Sequence, residues 1–105
     1  MKAQTASILF TLSVLAANME TASADDLITS HIPRAPVQSS AIAAVGYSKR
    51  LHVLEIEFVN GAIYRYLDVP PDVYRDLLAA KSRARFYDQN IRAKYRSVHV
   101  RQGRK

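Results

Sequence analysis

The chain has 105 residues, no cysteine and a formal net charge of +6. That length suits one domain. Without cysteine there can be no disulfide, zinc–thiolate site or thiol nucleophile, so the fold must rest on an apolar core alone.

The charge is polarised along the chain. Residues 81–105 hold nine bases against a single acid, Asp88, for a sum of +8, while residues 1–80 sum to −2. Such asymmetry suggests an anionic partner: nucleic acid, a membrane surface or another acidic polymer. The plain alternative is a solvated helix face followed by a solubilising tail.

Residues 1–24 have the organisation of a secretory signal. Lys2 provides the positive start, Ile8–Ala17 the apolar run, and Ala22-Ser23-Ala24 the small residues of a cleavage site. The run is shorter than the roughly 20 apolar residues of a spanning helix, so no stable membrane anchor is expected. The expected address is therefore the periplasm or the exterior of a bacterial cell. Residues 25–38 contain Pro33 and Pro36 and no periodicity, which predicts a flexible linker.

The folded domain is expected over residues 39–96. Ser39–Tyr47 suits a first strand, although Ile42 and Val45 would fall on opposite faces of a regular one. Leu51–Val59 is a second strand, with His52, Leu54, Ile56 and Phe58 on one face and Val53, Glu55, Glu57 and Val59 on the other. Asn60-Gly61 then marks a hairpin into Tyr64-Arg65-Tyr66.

Two registers compete at this turn. A two-residue loop would set Arg65 opposite Ile56 on the apolar face. A three-residue loop with Gly61 left-handed sets Arg65 opposite Glu55, Tyr64 opposite Ile56 and Tyr66 opposite Leu54. Burying an unpaired arginine costs several kcal/mol, whereas an opposed charge pair gains roughly 0.2–1 kcal/mol. The second register is predicted, with a G1 bulge at Gly61 and the Glu55–Arg65 pair on the solvent face.

Pro70-Pro71 ends the third strand and opens a helix over Asp72–Lys81. Ser82 caps a second helix over Arg83–Tyr95, on which Tyr87, Ile91 and Tyr95 form an apolar stripe. The fold class is thus α+β: a three-stranded antiparallel meander followed by two short helices packed on one face. Residues 97–105 form a basic tail, in which Ser97–Val100 could add a short strand.

These residues resemble the KTSC family, named for its place at the C-terminus of some lysyl-tRNA synthetases. The matching positions are Ser39-Ser40-Ala41-Ile42, Val45-Gly46-Tyr47, Leu54-Glu55-Ile56-Glu57-Phe58, Asn60-Gly61, Tyr64-Arg65-Tyr66, Val69-Pro70, Val73-Tyr74, Ala80, Ser82, Phe86 and Ile91-Arg92. The Tyr-x-Tyr centre is the hallmark. Two positions depart from the family pattern: Ala84 stands where a glycine is usual, and Asp88 where an asparagine is usual. The resemblance carries over no established activity; the company of a tRNA synthetase implies RNA binding by analogy.

The expected function is a non-catalytic module binding nucleic acid, RNA included, or another anionic polymer. Arg83, Arg85, Arg92, Lys94 and Arg96 are the candidate phosphate contacts. Tyr64 and Tyr66 could stack on bases, but the predicted register assigns them to the core. The alternative is an exported protein–protein module that receives a partner segment at a sheet edge or in the groove between hairpin and helices. Neither a catalytic residue, a metal site nor a cofactor is expected, because His31, His52 and His99 lack ligand spacing.

Overall fold

The fold is described by a computed structural model, which places residues 27–28 and 30–103. The expected export signal at 1–24 lies outside these residues. The elements are β1 (Ala35–Pro36), β2 (Ile42–Ser48), β3 (Val53–Phe58), β4 (Ile63–Tyr66), α1 (Pro71–Ala79), α2 (Arg83–Asn90) and β5 (Ser97–Arg101). The strands form one antiparallel sheet in chain order. The α+β class stands, with five strands in place of the expected three.

The central hairpin adopts the predicted register. Leu54 pairs with Tyr66, Glu55 with Arg65 and Ile56 with Tyr64. Phe58 N–H donates to the Ala62 carbonyl at 2.9 Å, and Gly61 N–H donates to the Phe58 carbonyl at 2.8 Å. Gly61 has φ 94°, the left-handed geometry that glycine adopts without steric penalty. The Asn60 side-chain oxygen accepts from Ala62 N–H at 3.0 Å and fixes the corner.

Strand β2 explains its own broken alternation. The register shifts between Ile42 and Ala44, leaving Ala43 as the extra residue of a bulge. That shift brings Ile42 and Val45 into one core, where both are almost fully buried. They join Leu54, Ile56, Tyr66 and Val69 from the sheet region, with Leu77 and Ile91 from the helical half. Helix α1 begins with Pro70 as cap and Pro71 in its first turn. At the start of α2 the Ser82 hydroxyl accepts from Arg85 N–H at 3.2 Å. This helix stops at Asn90, short of the predicted Tyr95. The Asn90 amide donates back to the Phe86 carbonyl, and Ile91 and Arg92 N–H both reach the Tyr87 carbonyl. Ile91 and Tyr95 still pack into the core from the turn beyond.

The other face of the sheet departs from expectation. The residues predicted as a flexible linker cross it as a strap, with Ile32 buried against Val53 and Leu67. Ala35 and Pro36 pair with Val45 and Ala44 as an edge strand, a place where a proline's missing donor is tolerated. The Glu55–Arg65 pair is therefore buried, not solvent-facing, at 1% and 4% exposure. Arg65 Nε donates to Glu55 at 2.6 Å, Nη1 to the Leu27 carbonyl at 3.1 Å and Nη2 to the Ser30 carbonyl. Arg34 of the strap closes the network on Glu55 and Glu57. Two strap carbonyls thus satisfy an arginine that the hairpin alone would leave in water.

The tail also supplies structure. Ser97–Arg101 pairs along β4, and Arg101 Nε donates to the Gly61 carbonyl at 2.9 Å.

Candidate functional site

The helix-covered face of the sheet does not close completely. Between β4 and α2 lies a groove of about 470 Å³. Phe58, at the end of β3, and Tyr64 and Tyr66, on alternate positions of β4, supply its sheet side. Ala84, Tyr87 and Asp88 come from α2, Arg92 from the turn after it, and Ala41 and Ser97 complete the lining. Alternation places both β4 tyrosines on one face, and the hairpin register brings Phe58 beside them.

Four rings build the wall. Phe58 stands edge-on to Tyr64 at 6.0 Å and to Tyr87 at 5.3 Å, and Tyr87 stands edge-on to Tyr66 at 5.7 Å. These are favourable quadrupole contacts. The hydroxyls of Tyr66 and Tyr87 share a hydrogen bond. Burial first, and that bond second, push the Tyr66 phenol well above the ordinary tyrosine range. It is neutral across the physiological range. Tyr66 is a core residue at 3% exposure, whereas Tyr64 is half-buried and stacks at 4.6 Å on His99 of β5.

Charge sits at the groove's rim. Arg92 Nη1 lies 3.4 Å from Asp88 Oδ1, and both side chains are well exposed. A pair of this kind contributes at most about 1 kcal/mol to stability, so it is free to engage a ligand. The remaining candidate bases divide into two kinds. Arg85 and Lys94 are exposed and form no ion pair among the described residues, and Arg96 stands 3.9 Å from an equally exposed Asp68. Arg83 is different: its guanidinium donates to the Gln38 carbonyl at 3.0 Å and to the Leu78 carbonyl at 2.7 Å. It ties α2 to the chain ahead of β2, and its head is committed to the fold.

His31 and His52 are exposed, and His52 adopts φ 55° in the turn before β3. Among the described residues, no group of three or more His, Asp or Glu is placed to hold a metal ion, and no helix is long and apolar enough to cross a membrane.

A family model for the KTSC domain matches residues 38–95. The chain belongs to the KTSC family. It is 46% identical over 63 residues to a protein of Tsukamurella paurometabola, covering 60% of this chain and 94% of that one. A lysine–tRNA ligase of Nostoc punctiforme is 32% identical over 77 residues, which are 73% of this chain and 13% of the ligase. The crystal structure of a KTSC domain protein from Yersinia pestis superposes with a TM-score of 0.64 at 35% identity, covering 68% of this chain and all of that one.

Both positions that depart from the KTSC pattern, Ala84 and Asp88, line the groove. In the sequence Asp88 is visible as the single acid of a basic segment and as a departure from the family pattern. Its spacing of four from Arg92 on a predicted helix is the signal that could have paired the two.

Proposed function

We propose that this KTSC protein is a non-catalytic module that binds an anionic polymer, with single-stranded nucleic acid as the polymer the groove fits. The observation that carries this reading is the tyrosine-lined groove opening beside Arg92, within the segment that holds the chain's positive charge. Exposed aromatic faces stack on bases without regard to sequence, and bases along a groove follow the phosphates. Arg92 lies at the groove, and Arg85, Lys94 and Arg96 are the exposed cations flanking it in sequence. Arg83 has two of its five donors on backbone carbonyls and is the least available of the candidate bases. A relative named as a lysine–tRNA ligase handles RNA by that name, which suits the same reading.

The protein–protein alternative draws on the outer edge of β5, which has no strand beyond it among the described residues. The register there shifts opposite Ile63 and Tyr64, leaving Val100 as an extra residue. Such a bulge turns an edge away from further pairing, so strand addition ranks second.

If the chain is exported as its first 24 residues suggest, the available anions are extracellular nucleic acid and lipid phosphate. The test is fluorescence titration of labelled single-stranded RNA, single-stranded DNA and anionic vesicles with the protein at low salt. Binding of the strands with weak or no vesicle binding is the expected result. Vesicle binding alone would move the reading to a membrane surface, and no binding by any of the three would favour the protein-partner module.

A further inference from the structure

The rim of the groove carries a donor–acceptor pattern beyond what phosphate binding needs. Asp88 and Arg92 stand side by side, 3.4 Å apart and both well exposed, next to the rings of Tyr64, Tyr66 and Tyr87. A carboxylate only accepts, through two oxygens, and a guanidinium only donates, through five N–H groups. Read along the pair, the rim therefore presents acceptor, acceptor, donor.

We propose that the Asp88–Arg92 pair recognises the Watson–Crick edge of a guanine stacked in the tyrosine groove; this rests on the nucleic-acid reading above. Guanine presents two adjacent donors, N2–H and N1–H, followed by the O6 acceptor. The carboxylate of Asp88 receives the two N–H groups. An N–H of Arg92, which has spent one donor on Asp88, reaches O6. Adenine offers a donor and then an acceptor at N1, which faces a carboxylate oxygen with no proton between them. Cytosine places two acceptors where the rim needs donors, and uracil has one donor between two acceptors. Of the four bases, guanine alone matches at every position.

The walls agree with this assignment. Tyr64, half-buried, is stacked on the imidazole of His99 and packed against Phe58, contacts that hold its ring in place at the groove. The Tyr66 hydroxyl is hydrogen-bonded to that of Tyr87. Specificity then resides in Asp88 and Arg92, and affinity in the rings and the surrounding bases. A carboxylate in a basic segment lowers affinity for phosphate, so its presence in the groove calls for a ligand with donors to offer.

The experiment compares short oligouridylates that carry one central guanosine, adenosine or inosine, in RNA and DNA backbones, alongside GMP and AMP followed by amide chemical shifts. The guanosine strand binds about tenfold more tightly than the adenosine strand, the scale of a two-bond base contact. Inosine, which lacks the N2 amine, falls between them. D88N gives the rim one donor and one acceptor, and the guanosine preference disappears or reverses. Among the described residues the Asp88 side chain is bonded only to Arg92 and is well exposed, so this variant keeps the fold. Equal affinity for guanosine and adenosine strands, or a preference unchanged in D88N, overturns the proposal while leaving polymer binding intact. If no strand binds at low salt, the polymer reading falls. The mononucleotides then decide: shifts at Ala84, Asp88 and Arg92 with GMP and not AMP keep the guanine site, and their absence removes it.

Discussion

Replacing Arg65 by methionine tests the strap most sharply. The substitution keeps much of the aliphatic stem and removes a head that bonds Glu55 and the carbonyls of Leu27 and Ser30. Among the described residues Glu55, at 1% exposure, then keeps only Arg34, whose side chain is 30% exposed. Removing one partner of a buried ion pair costs about 3–5 kcal/mol, and the remaining arginine places this case at the lower end, about 3 kcal/mol. A domain of this size loses about 4–8 °C of melting temperature per kcal/mol, so R65M should melt about 12–24 °C lower. Urea unfolding gives the free energy directly. The double variant E55M/R65M removes both charges and should recover more than half of the loss, because an apolar pair of similar volume tolerates burial. R65M within about 1 kcal/mol of the parent, or a double variant no better than R65M, would refute the buried network.

A methyl group at Gly46 would lie 2.2 Å from the Pro33 carbonyl oxygen, closer than any contact allows. G46A should therefore lift the strap, cost about 1–3 kcal/mol and speed protease cleavage within residues 30–36; a strap as protected as in the parent would contradict its docked position. The raised Tyr66 phenol sets an alkaline limit. Below the ordinary tyrosine pKa near 10 both states keep the proton. Above it the unfolded state releases a proton that the folded state holds, so stability falls as pH rises, by about 1.4 kcal/mol per unit for this group. Tyr47, raised by burial, adds to that slope. Y66F should flatten the decline in unfolding free energy above pH 10 by Tyr66's share; an unchanged slope would count against its ionisation being suppressed.

The hairpin was legible because one residue type decided its register. Arg65 had to face Glu55 and not Ile56, and Gly61 could supply the left-handed corner. Ser82 and Pro71 were equally readable as helix starts, since their roles depend on neighbours a few residues away. What stayed hidden depended on contacts across the chain. Nothing within Pro33-Arg34-Ala35-Pro36 shows that Glu55 and Arg65 wait for it across the sheet, so a prolined segment reads as a linker. The bulge at Ala43 disguised a core strand as a weak one. Arg83 looks like any base of its segment until two carbonyls, one belonging to Gln38, are seen around it. The groove lies in the same class. Phe58, Tyr64 and Tyr66 fall together by strand alternation, but Asp88 and Arg92 join them only once α2 packs on the sheet.

The salt dependence of single-stranded RNA binding tests the proposed function most directly. Each phosphate contact on a single strand contributes about −0.7 to the slope of log K against log salt. Contacts from Arg85, Lys94 and Arg96 predict a slope of about −2 by that measure, shrinking toward zero when all three are changed to glutamine. An absence of binding at low salt, or a slope untouched by the three substitutions, would contradict it.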